Sequence, residues 1–449
     1  MSTPVPTDQD VAPTPKARRR LFASTMIGNA VEYYDFTLYG TLAAVIASHF
    51  FPEGQTTVAL LAAYVGVALS YFIRPIGAMI LGPLADLKGR RPVLVLTIVL
   101  MTVGTAGIGL LPTYAAAGVV APILLLTARV VQGLGASVEI TTAANFLLEH
   151  ENKRRRNYVL GTLNSTASVG SFLAAGVAFL FTQLMSSEAF ASWGWRIPFL
   201  LAIPLSAVAV YIRNRLNESP EFEAVRQLAD QRKVPQTPLR TAVRYYWPDM
   251  LRSIGLSAGQ RIGSFVIQAY FVTALVGAGF PTSLALLASM ISYAVGPVPS
   301  IYGGYLADKY GARVPLLIGY GLFVVLTVPT FIAIGSKSIL IAVLAVVGFT
   351  IINNIISAPM MAAAILSFPS EVRSSASALN FNVSTSLIGS TAGLVAVWLR
   401  DITGSDVTFG WYMTGFCVLS LLITIFALPT GARRDASTGL LAETAVRTP

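Results

Sequence analysis

The sequence predicts an all-α membrane protein with twelve transmembrane helices arranged in two six-helix halves. Three observations support this: an apolar composition, twelve long apolar stretches and a charged hairpin that occurs twice. Hydrophobic residues make up 54% of the 449 residues, and charged residues only 12%, whereas soluble domains carry roughly 25% charged residues. Since so few polar groups cannot cover a soluble surface, the bilayer is expected to be the main solvent.

The apolar stretches are long enough to cross a membrane. A helix needs about 20 residues to span the hydrocarbon core. Twelve stretches meet this length, near residues 22–48, 58–84, 93–112, 120–147, 158–181, 194–212, 249–276, 283–306, 314–334, 338–362, 374–399 and 409–428.

The charged hairpin occurs at corresponding places in the two sets of six. Residues 82–91 and 304–313 both contain glycine, three residues, aspartate, two residues, glycine and then arginine. The two aspartates, Asp86 and Asp308, are 222 residues apart. Internal repeats of apolar helices are typical of secondary transporters.

The remaining segments divide the chain. We expect a disordered cytoplasmic tail at 1–20, an N-terminal half at 21–212 and a cytoplasmic linker at 213–248 that is rich in charge, proline and glutamine. The C-terminal half follows at 249–428, with a second cytoplasmic tail at 429–449.

Basic residues predict the orientation. Of the 31 lysines and arginines, 25 lie in the tails, the linker and the connections on the same side as these segments. Under the positive-inside rule this side is cytoplasmic, which predicts a multi-pass inner-membrane protein with both termini inside the cell. The same distribution accounts for the net charge of +10 without a nucleic-acid partner. The lipid bilayer is the expected surrounding.

Carboxylates within the spans are candidates for proton coupling. Glu32 and Asp35 are three residues apart and share a helix face, and Glu139 lies in the fourth span. An ionised carboxylate at bilayer depth costs at least about 2.5 kcal/mol, so acids there are usually functional. The alternative is a structural ion pair with Arg74 or Arg129.

Arg261 is the one formal charge deep in the second half. A guanidinium stays charged and needs an acceptor. Three explanations remain open: it binds the substrate's carboxylate bidentately, it pairs with a first-half carboxylate, or it reaches the surface beside Arg252. The candidate substrate-binding residues are Arg261, Arg129, Arg74, Tyr39, Gln260, Asn164 and Asn354.

The repeated hairpin resembles the signature of the major facilitator superfamily. Four stretches resemble its metabolite:proton symporters, which carry shikimate, 2-oxoglutarate, citrate and proline or betaine. They are GNAVEYYDFTLYG at 28–40, FIRPIGA at 72–78, WGWRIPFL at 193–200 and ESPEF at 218–222. The resemblance covers residues 22–428. Where the family usually has Gly-Gly-Glu in helix 4, this chain has Ser-Val-Glu at 137–139.

The resemblance implies two six-helix halves around a central cavity that opens alternately to either side. It also implies a cytoplasmic gate at the hairpins, where Asp86 interacts with Arg90 or Arg91 and the start of helix 11. The second hairpin supplies the corresponding candidates Asp308 and Arg313.

The functional prediction is a proton-coupled secondary transporter that takes up a small organic acid or zwitterion. It is not expected to be an enzyme or to need a cofactor or metal, because the proton gradient supplies the energy and no ATP-binding phosphate loop is present. A functional monomer is expected. The alternative is a proton-antiporting exporter of drugs or natural products. Such exporters often have Gly-x-x-x-Gly-Pro in helix 5, and residues 161–170 contain no proline. A membrane sensor is a third class.

Overall fold

The computed structural model describes most of the chain. The described residues are 15–52, 54, 56–88, 90–137, 144, 148, 153–215, 238–369 and 372–428. Within these ranges, side chains are outside the description at 15–25, 82–83, 85–88, 90–91, 94, 153, 212–215, 238–242 and 374.

The described residues form twelve consecutive helical spans, which confirms the predicted fold class. The first six are α1 (Pro15–Thr41, Ala43–Phe50), α2 (Thr56–Phe72, Arg74–Lys88), α3 (Arg90–Leu110), α4 (Val120–Gly135), α5 (Arg156–Leu184) and α6 (Arg196–Leu200, Ala202–Arg215). The second six are α7 (Pro238–Phe265, Val266–Tyr270, Phe271–Gly277), α8 (Thr282–Val295, Pro297–Tyr310), α9 (Arg313–Ile334), α10 (Ile339–Leu366), α11 (Arg373–Ser384, Thr385–Gly389, Ala392–Thr403) and α12 (Val407–Ala427).

Two helix boundaries differ from the expected segments. Helix α1 begins at Pro15, so residues 15–20 of the expected tail are helical. Helix α7 begins at Pro238, inside the expected linker, but its backbone is non-helical at Tyr246 (φ −115°, ψ 15°), so a kink separates this short first part from the long span that follows.

Several spans are interrupted where the sequence weakens regular helix. Helix α2 breaks just before Pro75 and α8 breaks just before Pro297, because proline cannot donate to the preceding turn. Helices α7 and α11 each contain a π-helical segment, Val266–Tyr270 and Thr385–Gly389. In such segments the main-chain hydrogen bonds join residues five apart instead of four, and π-helical turns are frequent at functional sites.

Length and apolar composition alone identify fewer membrane spans than the fold does. Seven helices in the described part are long and apolar enough to cross a membrane. The count is eight if the bent pair Ser187–Gly194 and Arg196–Tyr211 forms one span. Two shorter apolar helices occupy Val95–Leu110 and Val120–Gly135.

The two halves meet along four main pairs of helices: α5 with α8, α5 with α10, α2 with α11, and α1 with α7. One end of the bundle, here called the linker face, is where α6 ends at Arg215 and α7 begins at Pro238. The opposite end is the distal face. The hairpin between α8 and α9 turns at Gly311, whose φ of 89° is in the region that favours glycine.

Candidate functional site: a central cavity between the halves

A cavity of about 90 Å³ lies between the two halves. Its wall is formed by α1, α2, α5, α7, α8, α10 and α11. Six of the candidate residues line it: Glu32, Arg74, Asn164, Gln260, Arg261 and Asn354. The structure therefore brings together charged and amide side chains from both halves, which are separated by more than 300 residues at the extremes of the sequence.

Glu32 and Arg74 form an ion pair in the cavity wall. Arg74 Nη2 lies 3.1 Å from Glu32 Oε1, and the two side chains are 4% and 2% exposed. The guanidinium lies 4.0 Å from the ring centroid of Tyr71 and 4.6 Å from that of Phe36. Because a buried charge is costly without a partner, these contacts hold both groups in place.

Arg261 has a different environment from Arg74. Its guanidinium lies 4.0 Å from the ring centroid of Phe381, and Nε is buried without a hydrogen-bond partner. Among the described residues, no carboxylate forms an ion pair with it; Glu32, which also lines the cavity, pairs with Arg74. Arg261 lines the cavity, which places it between the halves rather than beside Arg252 at the surface.

Arg129 and Tyr39 lie within the N-terminal half and do not line the cavity. Arg129 is fully buried and donates to Gly66 O at 3.1 Å, to Ser70 Oγ at 2.8 Å and to Gln132 Oε1. Its guanidinium lies 4.0 Å from the Tyr39 ring centroid. These contacts satisfy the arginine within its own half.

Asp35 is also buried within the N-terminal half. Within the described part, neither carboxylate oxygen forms a hydrogen bond of ordinary geometry. Thr105 and Arg129 are polar neighbours of this carboxylate. Glu32 and Asp35 thus have different surroundings: Glu32 faces the cavity, and Asp35 lies behind its wall.

Near the linker face, the aspartate of the second hairpin joins the two halves. Asp308 accepts hydrogen bonds from the main-chain N–H groups of Asn157 (3.0 Å) and Tyr158 (2.8 Å), and from Asn157 Nδ2 (2.9 Å). These residues open α5, so the carboxylate caps a helix N-terminus of the opposite half, where unpaired N–H groups favour a negative charge. Gly304 permits this approach, because an added Cβ would lie 2.3 Å from Asn157 O.

The other candidate gate residues do not form a described contact between the halves. Arg313 donates to Ile425 O on α12 at 2.6 Å and therefore contacts its own half. The side chains of Asp86, Arg90 and Arg91 lie outside the described residues, as does all of Glu139.

Toward the distal face, Tyr64 joins the two halves, a contact that the sequence did not suggest. Its hydroxyl donates to Ala269 O at 2.8 Å and lies 2.9 Å from Thr273 Oγ1, which can donate to it. Both partners belong to α7, whereas Tyr64 belongs to α2. Its ring lies against Gly393 of α11, where an added Cβ would be 2.3 Å from the ring. Tyr64 lies inside an apolar run, and nothing in the sequence around it indicates a contact between the halves.

In the described ranges, no three histidine, cysteine, aspartate or glutamate side chains come close enough together to hold a metal ion.

Comparison with known proteins assigns this architecture to a family of membrane transport proteins. The family model described as Major Facilitator Superfamily matches residues 25–393, and the chain therefore belongs to the Major Facilitator Superfamily.

Similar proteins of known name include two transporters. The chain is 31% identical over 425 residues to the glycine betaine/proline/ectoine/pipecolic acid transporter OusA of Dickeya dadantii, covering 92% of this chain and 83% of that protein. It is 30% identical over 428 residues to the proline/betaine transporter of Salmonella typhimurium, covering 92% and 84%.

Solved structures support the fold. The crystal structure of a D-xylose-proton symporter aligns with a TM-score of 0.70 at 16% identity, covering 91% of this chain and 97% of that one. The xylose transporter XylE bound to 6-bromo-6-deoxy-D-glucose aligns with a TM-score of 0.72 at 15% identity, covering 92% and 95%.

Proposed function

We propose that the protein is a proton-coupled secondary transporter that takes up a small zwitterionic metabolite by alternating access. The observation that carries the proposal is Arg261, a cavity-lining guanidinium with no ion-pair partner among the described residues. A ligand carboxylate is its natural partner, because two parallel N–H groups match two carboxylate oxygens. Relatives are named as transporters of proline, betaine, ectoine or pipecolic acid. Their names support a substrate in which a carboxylate is attached to a cationic nitrogen.

The proton is assigned to the buried acids of the first half. Asp35 forms no hydrogen bond of ordinary geometry in the described part, and burial in a low-dielectric interior favours the neutral, protonated form of a carboxyl group. Glu32 can respond to the substrate directly, because it and its partner Arg74 line the cavity. Glu139 remains a candidate. The proton gradient is the energy source, and no cofactor is invoked.

Alternating access requires closures at both ends of the cavity. We assign Asp308 to the closure at the linker face, on the basis of its three hydrogen bonds to the start of α5. By the repeat, Asp86, Arg90 and Arg91 would form the equivalent closure with α11, and Arg313 would hold its hairpin to α12. The excess of basic residues on this side supports a cytoplasmic linker face, cytoplasmic termini and an inner-membrane location. The transport unit is taken to be one chain.

The test is uptake of labelled L-proline and glycine betaine into proteoliposomes that contain the purified full-length protein. An inward proton gradient should drive accumulation, and its collapse should stop it. Arg261→Lys should lose part of the substrate affinity and Arg261→Gln most of it, on the order of 100-fold, because a charged bidentate contact is removed. Unchanged affinity in Arg261→Gln would reject the assigned role.

Proton coupling is tested in the same vesicles. Asp35→Asn should abolish accumulation against a gradient while exchange of internal and external substrate continues. Uphill uptake at the wild-type level would remove Asp35 from the coupling mechanism. Tyr302→Phe, which removes an exposed hydroxyl from α8, should behave like the wild type and controls for general effects of substitution.

A further inference from the structure

A serine on α7 provides a second polar group beside Arg261. Ser264 follows Arg261 by three residues, so the two side chains lie on neighbouring turns of one helix face. Both line the central cavity. Ser264 Oγ accepts hydrogen bonds from Gln260 Nε2 at 2.8 Å and from Asn353 Nδ2 at 3.1 Å.

These two bonds determine what the hydroxyl can still do. A serine hydroxyl has two acceptor lone pairs and one proton to donate. Since the amides of Gln260 and Asn353 take both lone pairs, the oxygen has no acceptor capacity left, and only its proton remains. No described residue accepts a hydrogen bond from Ser264, whose bonds in the described part are the two that it receives.

The two amides that donate to Ser264 are buried, and their own oxygens, Gln260 Oε1 and Asn353 Oδ1, have no hydrogen-bond partner among the described residues. Gln260 and Asn353 are 5% and 4% exposed, and they come from α7 and α10 respectively. Gly263 lies directly against Asn353, because an added Cβ there would be 2.7 Å from Asn353 Oδ1. Two buried donors that converge from different helices fix the orientation of the hydroxyl before any ligand arrives, which reduces the entropic cost of binding.

We propose that Ser264 is a substrate-binding residue whose hydroxyl donates to the same ligand carboxylate that Arg261 binds, with Gln260 and Asn353 as positioning residues. This inference rests on the proposed function, because it specifies how the carboxylate of that substrate is recognised. The pair supplies a charged donor and a neutral donor from one helix face. The site therefore selects ligands that have a carboxylate and disfavours cations that lack one.

The experiment measures ligand affinity with the purified full-length protein in nanodiscs. The ligands are L-proline, glycine betaine, 2-oxoglutarate and choline, which is a quaternary ammonium without a carboxylate. Ser264→Ala should weaken binding of the carboxylate ligands by about tenfold or more, since a hydrogen bond to a charged group is lost. Ser264→Thr, which keeps a hydroxyl, should restore most of the affinity. Choline should bind weakly to the wild type and equally weakly to Ser264→Ala.

Two further variants make the result interpretable. Ser289→Ala removes a buried hydroxyl on α8 that does not line the cavity, and it should leave every affinity unchanged. If Ser264→Ala does not insert stably, Ser264→Cys replaces the hydroxyl with a weak thiol donor of similar shape and should give an intermediate loss.

The outcomes separate this inference from the proposed function. If the wild type binds L-proline or glycine betaine and Ser264→Ala binds it equally well, Ser264 is not a binding residue, and the proposed function stands. If the wild type binds only 2-oxoglutarate, the zwitterionic substrate is rejected, and the same variants still decide the role of Ser264 with that ligand. If it binds none of the three carboxylates, both proposals are overturned.

Discussion

Toward the two ends of the cavity, the halves are joined by different kinds of contact. At the linker face, Asp308 accepts three hydrogen bonds from the start of α5, so a full charge meets a helix N-terminus. At the distal face, Tyr64 makes neutral hydrogen bonds to α7 and places its ring against Gly393. A charged closure responds to ionic strength and to loss of its charge, whereas a neutral closure depends mainly on shape.

This difference also explains which closure can be found in a sequence. An aspartate in a glycine-bounded hairpin is unusual between apolar runs, and its repetition after 222 residues makes it conspicuous. Tyr64 is one of 17 tyrosines, and nothing in its neighbours distinguishes it. The comparison predicts that substitutions at the two faces open the cavity in opposite directions and by different amounts.

The largest effect is expected from Gly304→Ala at the linker face. The new Cβ would lie 2.3 Å from the main-chain oxygen of Asn157, and a main-chain atom cannot move aside without shifting α5. Overpacking of this kind costs about 1–3 kcal/mol, so uptake should fall by about tenfold or more. Gly321→Ala, where nothing lies within 4 Å, is the matched control. Normal uptake by Gly304→Ala would show that this approach of α8 to α5 is not needed for transport.

A smaller effect is expected from Asp308→Asn. The amide keeps the shape of the carboxylate but loses its charge and one of its acceptor oxygens, which weakens the cap on α5. A cysteine introduced at Ala167 in the cavity wall, in a Cys417→Ser background, reports opening. Its labelling by an impermeant maleimide from the linker face should become about tenfold faster. High salt should accelerate labelling of the parent protein but have little further effect on Asp308→Asn.

Equal labelling of the parent and Asp308→Asn proteins from the linker face would contradict the closure by Asp308. Faster labelling from the distal face alone would contradict the assignment of Asp308 to one end of the cavity.

The smallest effect is expected from Tyr64→Phe. The ring remains against Gly393, and only the hydrogen bonds to α7 are lost, each of which contributes about 0.5–1.5 kcal/mol. Labelling of the same cysteine should become about two- to tenfold faster from the distal face, should not change from the linker face and should not depend on salt. Salt-dependent labelling in Tyr64→Phe would mean that charged groups contribute to the distal closure.

The charges in the cavity show how far sequence reasoning could go. Buried acids and arginines were identified as functional candidates because charge is costly in the bilayer. Arg74 and Arg129 were both possible ion-pair partners of the acids, and the sequence could not choose between them. Helical spacing placed Glu32 and Asp35 on one face, yet Glu32 pairs with Arg74 in the cavity wall and Asp35 lies behind that wall. Arg129 was expected near substrate but is satisfied by Gly66, Ser70 and Gln132.

The sequence by itself determined the number of spans, the two-half organisation, the position of the hairpins and the presence of an arginine without a second-half partner. These follow from apolar length, repetition and charge, which are properties of local segments. Only the tertiary structure decided which residues line the cavity, that Tyr64 joins the halves toward the distal face and that Ser264 lies beside Arg261 with both lone pairs taken. The physical reason is that a membrane helix is apolar on nearly every side. Its periodicity therefore does not reveal its rotation, which is set by close contacts with helices that are distant in sequence.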